Sequence, residues 1–235
     1  MFLFRNQGTS EVLANDWNRH YTRTIVKDLS LTTPRIRFGR AGDAAAAARL
    51  IIMSDSAFLP FLFGDRLESA LRRFLSRPGT LFSYEHTRII EVNGQVAGML
   101  LGYGYGQMRK EMLPTALRWL RVLGFGLLRR LPQLLRIAFT QPAQTGESAN
   151  WLSPGEFYIS NMAIKPEFRR HGLGRLLLKD ALANAYVLGC RRVALDVDIG
   201  NRAAIGLYED MGFAREEHNL MVMGKFEFLR MSRAL

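Results

Sequence analysis

Residues 159–178, Ile-Ser-Asn-Met-Ala-Ile-Lys-Pro-Glu-Phe-Arg-Arg-His-Gly-Leu-Gly-Arg-Leu-Leu-Leu, carry the chemistry most plainly. They read as a strand, a tight basic glycine turn and the start of a helix. Such a turn aims several backbone N–H groups at one point, and the helix behind it adds the positive end of its dipole. Arg169, Arg170 and Arg175 put fixed positive charge around that point, and His171 stands among them. Gly172 and Gly174 let the backbone come close to a guest, because they carry no Cβ. The N–H groups of residues 170–174, Leu173 included, form a cradle suited to a diphosphate. A second block, residues 201–213, reads Asn-Arg-Ala-Ala-Ile-Gly-Leu-Tyr-Glu-Asp-Met-Gly-Phe. Asn201 is placed to cap its helix, and Tyr208 sits on that helix.

These blocks need a scaffold to hold them. Arg35 to Gly39 alternates as a short strand. Asp43 is expected to cap an alanine-rich helix running to Ser54. Residues 58–64 read as an aromatic loop, and 66–75 as a second helix stopped by Arg77-Pro-Gly. Residues 87–102 form a hairpin turning at Asn93-Gly94. From Gln107 to about residue 150–155, leucines and arginines interleave at helical spacing. Pro114 opens one helix there, while Gly124, Gly126 and Pro132 interrupt the run. Strand 157–164, helix 173–187, strand 192–198, helix 201–211 and strands near 213–218 and 225–231 complete the order. Residues 1–33 show no clear period and read as an N-terminal extension to a domain spanning 34–235.

The chain has 235 residues, 48% of them hydrophobic, enough for a substantial core. Its net charge of +11 is compatible with an anionic cofactor, a nucleic acid or an anionic membrane. No nucleic-acid-reading motif is present, so no nucleic acid is expected as a partner. The single cysteine, Cys190, excludes an internal disulfide and is read as buried packing. No Cys/His cluster suggests a metal. The start lacks a secretory pattern, and no charge-free apolar run reaches membrane-spanning length, so a cytoplasmic location is expected.

Arg169-x-x-Gly172-x-Gly174 resembles the R/Q-x-x-G-x-G/A signature of the GNAT acyltransferase superfamily. Asn201-x-x-Ala204-x-x-Leu207-Tyr208-x-x-x-Gly212-Phe213 resembles its second hallmark, and the order of elements from about residue 34 onward agrees. The resemblance implies an α/β (α+β) fold: a central, mixed, mostly antiparallel sheet flanked by helices and splayed between its fourth and fifth strands. It implies acetyl-coenzyme A as co-substrate, with no metal, and acyl transfer by direct attack of a primary amine. Met162 and Ile164 then occupy the positions whose free backbone groups bond the pantetheine arm, with the small Ala163 between them. Asn201 can bond the same arm.

Acyl transfer to an amine expels a thiolate, which needs a proton, and the family places a tyrosine such as Tyr208 in that role. Asp196 matches a glutamate that some members use as base; Glu156 and Asp198 are alternatives, as is water. The resemblance puts the acceptor beside residues 58–63, including Phe63, and beside Tyr84, Tyr103, Tyr105, Tyr158 and Asn161. The acceptor, a small-molecule or peptide amine, stays open. The insertion departs from the family pattern and is read first as a lid, then as a homodimer contact, then as a membrane contact. The rival reading is a catalytically idle coenzyme A-binding or scaffold protein of the same fold.

Overall fold

The computed structural model describes residues 33–123, 152–223 and 226–235. Among them run β1 (Arg35–Phe38), α1 (Ala44–Ser54), α2 (Phe58–Phe63), α3 (Leu67–Leu75), β2 (Thr87–Val92), β3 (Gln95–Gly104) and α4 (Tyr105–Leu123). There follow β4 (Glu156–Ile164), α5 (Leu173–Val187), β5 (Arg192–Asp198), α6 (Arg202–Asp210), β6 (Ala214–Met223) and β7 (Phe226–Ala234). The extension 1–32 and the greater part of the insertion, 124–151, lie outside the described residues.

The strands form one sheet in the order β1-β2-β3-β4-β5-β7-β6, antiparallel throughout except for the parallel pair β4–β5. That pair needs a crossover connection, which α5 provides. The fold is therefore the α/β type expected, with helices on both faces. On one face α5 and α6 bury Leu173, Leu177, Ile205 and Tyr208 against Ile90, Leu100, Phe157, Ile159, Val193 and Leu195. On the other, α1 and α3 bury Ala48, Ile51, Leu67 and Leu71 against Ile89, Met99, Leu101 and Ala163.

Two features of β4 prepare a site. Its pairing with β5 covers only Glu156–Ile159 against Arg192–Leu195, although β4 continues to Ile164 and β5 to Asp198. The strands thus part immediately after Ile159 and Leu195, leaving a wedge. A bulge at Ser160 also shifts the register against β3, where Leu101 pairs Asn161 but Gly102 pairs Ile159. The extra residue inverts the alternation. Ile159, Met162 and Ile164 consequently share the α5–α6 face, while Ala163 packs on the α1–α3 face.

Gly98 on β3 keeps this arrangement tight. A Cβ there would lie 2.7 Å from the Ala163 carbonyl oxygen and 2.4 Å from Ile164 Cδ1. Gly98→Ala is expected to cost about 1–3 kcal/mol through overpacking, seen as a lowered urea midpoint with an unchanged slope.

Three local expectations are corrected. Residues 58–63 form helix α2 rather than a loop, because Asp55 Oδ1 accepts the Phe58 N–H at 2.9 Å and Pro60 falls in the first turn, where its missing N–H is harmless. Asp43 does not cap α1 with its side chain. Its carboxylate accepts from the Arg40 N–H and from Arg37, at 2.7–2.8 Å. Pro114 lies inside α4 rather than opening a helix, on the exposed side where the carbonyl it frees can be hydrated.

Candidate functional site

The glycine turn stands at the wide end of the wedge. A short 3-10 turn, Pro166–Phe168, leads from β4 into it, and Gly172 begins α5 with φ 74° in the left-handed region. Gly172 has no side chain to satisfy the first N–H groups of the helix, and no side-chain cap is present. Those donors remain available to an anion. Arg170 also has positive φ, 62°, and Arg169, Arg170 and His171 are exposed there. Gly174 serves packing: a Cβ on it would stand 3.1 Å from Leu207 Cδ2 of α6.

The three arginines do not all face the turn. Arg169 Nε donates to the Ile164 carbonyl at 3.0 Å. Arg175 is drawn to α6, where it pairs with Asp210 at 2.9 Å. The positive charge at the turn comes from Arg170, Arg169 and the helix dipole, and Arg175 ties α5 to α6.

The edge of β4 offers what an extended ligand needs. The Lys165 N–H donates to the Ala97 carbonyl at 2.8 Å, so residue 165 turns its backbone groups toward β3. With the period of two, Ala163 does the same, and Met162 and Ile164 turn theirs into the wedge. The bond from Arg169 to the Ile164 carbonyl agrees with that direction. These groups lie where β5 no longer pairs. An amide-bearing chain threaded there would complete the interrupted sheet.

Asp196 is the first residue of β5 beyond the pairing, at the apex of the wedge. Val193, Leu195 and Val197 point into the α5–α6 core, so Asp196 faces the opposite side. Its Oδ2 accepts from the Tyr158 hydroxyl at 2.8 Å and lies 3.6 Å from Arg230 Nη1. Burial raises its carboxyl above the ordinary value, while Arg230 and the Tyr158 bond pull the other way. Burial and Asp196 also raise Tyr158, so its hydroxyl stays protonated.

Glu156 lies at the closed end of the same pairing, opposite Arg192. Its carboxylate accepts the Ser153 N–H at 2.8 Å and stands 3.5 Å from both Arg192 and Arg230. It is committed to that network, three residues before the strands part. Asp198 caps the following turn through the Gly200 N–H at 2.7 Å.

Tyr208 rises from α6 on the other face. It is 7% exposed, and its ring packs against Phe213. Burial alone pushes its hydroxyl up to about 12. Asn201 Oδ1 caps α6 by accepting the Ala204 N–H at 3.2 Å, as its position in the sequence suggests.

The residues expected around the acceptor divide. Tyr158 is at the apex, and Asn161 bonds Ser54 Oγ of α1 at 3.0 Å on the same face. Tyr103 leans on Tyr158 with ring centroids 6.0 Å apart. Tyr105 sits in a small cluster with Leu81, Tyr103 and Met108 at the start of α4. Phe63 stacks on Trp119 of α4 at 4.2 Å and helps hold that helix to the body. Tyr84 falls outside the group. The Tyr84 carbonyl abuts Gly39 at the end of β1, on the sheet edge, with β2 and β3 between it and β4. His86 is structural, bonded to Glu111 at 2.7 Å. Two contributors had no local signal. Arg230 faces Asp196 across the β5–β7 register, and Phe58 and Phe61 pack edge-on against Phe226 and Phe228 of β7.

The model of the Acetyltransferase (GNAT) family matches residues 55–213. The chloroplastic GCN5-related N-acetyltransferase 4 of Arabidopsis thaliana is 42% identical over 59 residues, covering 25% of this chain and 20% of that protein. The [ribosomal protein bS18]-alanine N-acetyltransferase of Salmonella typhimurium is 41% identical over 58 residues, 25% of this chain and 39% of its own. The match thus spans less than half the length of either relative. Among solved structures, an N-acetyltransferase from Staphylococcus aureus Mu50 superposes with a TM-score of 0.58 at 22% identity, covering 85% of this chain and all of that one, which shows a shared fold.

Proposed function

Because the chain belongs to the GNAT acetyltransferase family, we propose that it transfers an acetyl or other short acyl group from acyl-coenzyme A to a primary amine held at the wedge between β4 and β5. The carrying observation is the position of Asp196 at the point where the strands part, with an uncapped helix start beyond it. The two ends of that wedge suit the two ends of a coenzyme A thioester. The N–H groups of residues 170–174 suit a pyrophosphate, and the edge of β4 at Met162 and Ile164, where β5 no longer pairs, suits a chain of amides. Acyl-coenzyme A would supply an activated thioester carbonyl.

The chain's own residues divide the proton work between two faces. Tyr208, protonated and buried on the α6 side, holds a proton for a departing thiolate. Asp196, on the α1–α3 face, takes a proton from an incoming ammonium, with Tyr158 fixing its orientation. Arg230 holds Asp196 from the β7 side and draws its carboxyl down against the upward pull of burial. Tyr158, Asn161 and the aromatic helix α2 bound the acceptor side.

The test is release of free thiol from acetyl-coenzyme A across a panel of small amines and peptides with free N-termini. Deprotonated Asp196 is the working form, so kcat/KM is expected to fall tenfold per pH unit below its pKa. That limb lies above the ordinary carboxylate range, in the direction burial sets. Asp196→Asn should lower the plateau and abolish the limb. A limb that persists in this variant would assign it to the amine itself.

A further inference from the structure

Helix α4 presents two unlike faces. Its inner face, Met108, Glu111, Thr115 and Trp119, is spaced by three or four residues and fixed to the body. Met108 packs with Leu81 and Tyr103, Glu111 bonds His86, Thr115 Oγ1 accepts the Leu81 N–H at 3.0 Å, and Trp119 stacks on Phe63. The outer face carries Met112, Leu113, Leu117 and Leu120, exposed by 47, 67, 43 and 51%. At 100° per residue Leu113 and Leu120 mark the centre of that face. Arg109, Lys110 and Arg121 are exposed beside them. The one acidic residue of α4, Glu111, is buried in its bond to His86, so every exposed charge on the helix is positive.

We infer that the outer face of α4 docks on an anionic lipid surface, with the helix lying in the plane of that surface. Lys110 and Arg121 flank the line of large aliphatic side chains on one side and Arg109 continues it one turn toward the N-terminus, a pattern that buries apolar side chains among acyl chains while its charges meet the headgroups. The charge decides between occupants. A second copy would bring its own Arg109, Lys110 and Arg121 against these cations with no exposed carboxylate on either helix to answer them, in a chain of net charge +11. A nucleic acid backbone would satisfy the arginines and leave the leucines in water. A bilayer with anionic headgroups answers both components. Among the described residues no helix is long and apolar enough to cross a membrane, and α4, about 28 Å long by its rise, lies on the surface instead.

The experiment is co-sedimentation of the full chain with vesicles of phosphatidylcholine, with and without phosphatidylglycerol. Binding is expected on the anionic vesicles and should weaken as salt rises. The double variant Leu113→Glu, Leu117→Glu should abolish it. Neutralising Arg121 or Lys110 to Gln should weaken the partition about fivefold each. Affinity for acetyl-coenzyme A, measured on the same preparations, should not change, which controls for folding. Equal binding to both kinds of vesicle, anionic binding untouched by the leucine pair, or a wild-type dimer that the leucine pair dissolves would each overturn the assignment.

Discussion

Tyr208→Phe is expected to lower kcat by about 10²–10⁴-fold while leaving acetyl-coenzyme A affinity unchanged. The ring is buried against Phe213, and a phenylalanine fills the same space. No hydrogen bond contributes to the raised hydroxyl of Tyr208, so the substitution strands no partner among the described residues. What disappears is one proton. Because burial raises that group to about 12, the wild-type hydroxyl is protonated throughout the useful pH range and adds no limb of its own below that value. Rapid-quench turnover with chemistry limiting, alongside titration of the coenzyme, separates the two quantities. Equal losses in both would mark Tyr208 as a packing residue, and a kcat within twofold of wild type would remove it from the proton path.

Gly172→Glu should weaken acetyl-coenzyme A binding by at least tenfold. Two effects add. The left-handed φ of 74° costs any L-residue about 1 kcal/mol or more, and a free turn that relaxes to relieve this strain must recover it on binding. The new carboxylate also lies at the start of α5, where the N–H groups and the dipole are proposed to hold a phosphate. Gly172→Ala carries the first cost without the second, so it should fall between wild type and Gly172→Glu. Isothermal titration of the three proteins, with circular dichroism showing the same helix content, makes the comparison. Equal affinities in folded proteins would move the phosphate elsewhere.

What the sequence made legible was local. The turn at 169–174 and the Asn201 cap are written in consecutive residues, because a positive-φ glycine and a helix cap act over one to four positions. The Asn93-Gly94 hairpin is read on the same scale. The parts that escaped depend on pairings between distant segments. Helix α2 looks like a loop because Phe-Leu-Pro-Phe-Leu-Phe lacks a polar face, and the surface it lies against is Phe226 and Phe228, some 165 residues later. Arg230 joins Asp196 only through the β5–β7 register. Glu156 and Asp196 look alike in sequence, as strand carboxylates. The four-residue pairing of β4 with β5 separates them, placing one at the closed end and the other at the apex. Tyr84 went astray for the same reason, since the short turn before β2 sends it to the sheet edge. Arg175 shows the limit of charge counting, because Asp210 on α6 claims it.

The most direct measurement is a crystal structure of the protein with coenzyme A. The pyrophosphate is expected on the N–H groups of residues 170–174, the pantetheine amides paired with the backbone of Met162 and Ile164, and the sulfur within hydrogen-bonding reach of Tyr208 Oη. Coenzyme A bound away from the β4–β5 wedge, or a wedge closed by further strand pairing beyond Ile159 and Leu195, would contradict this placement.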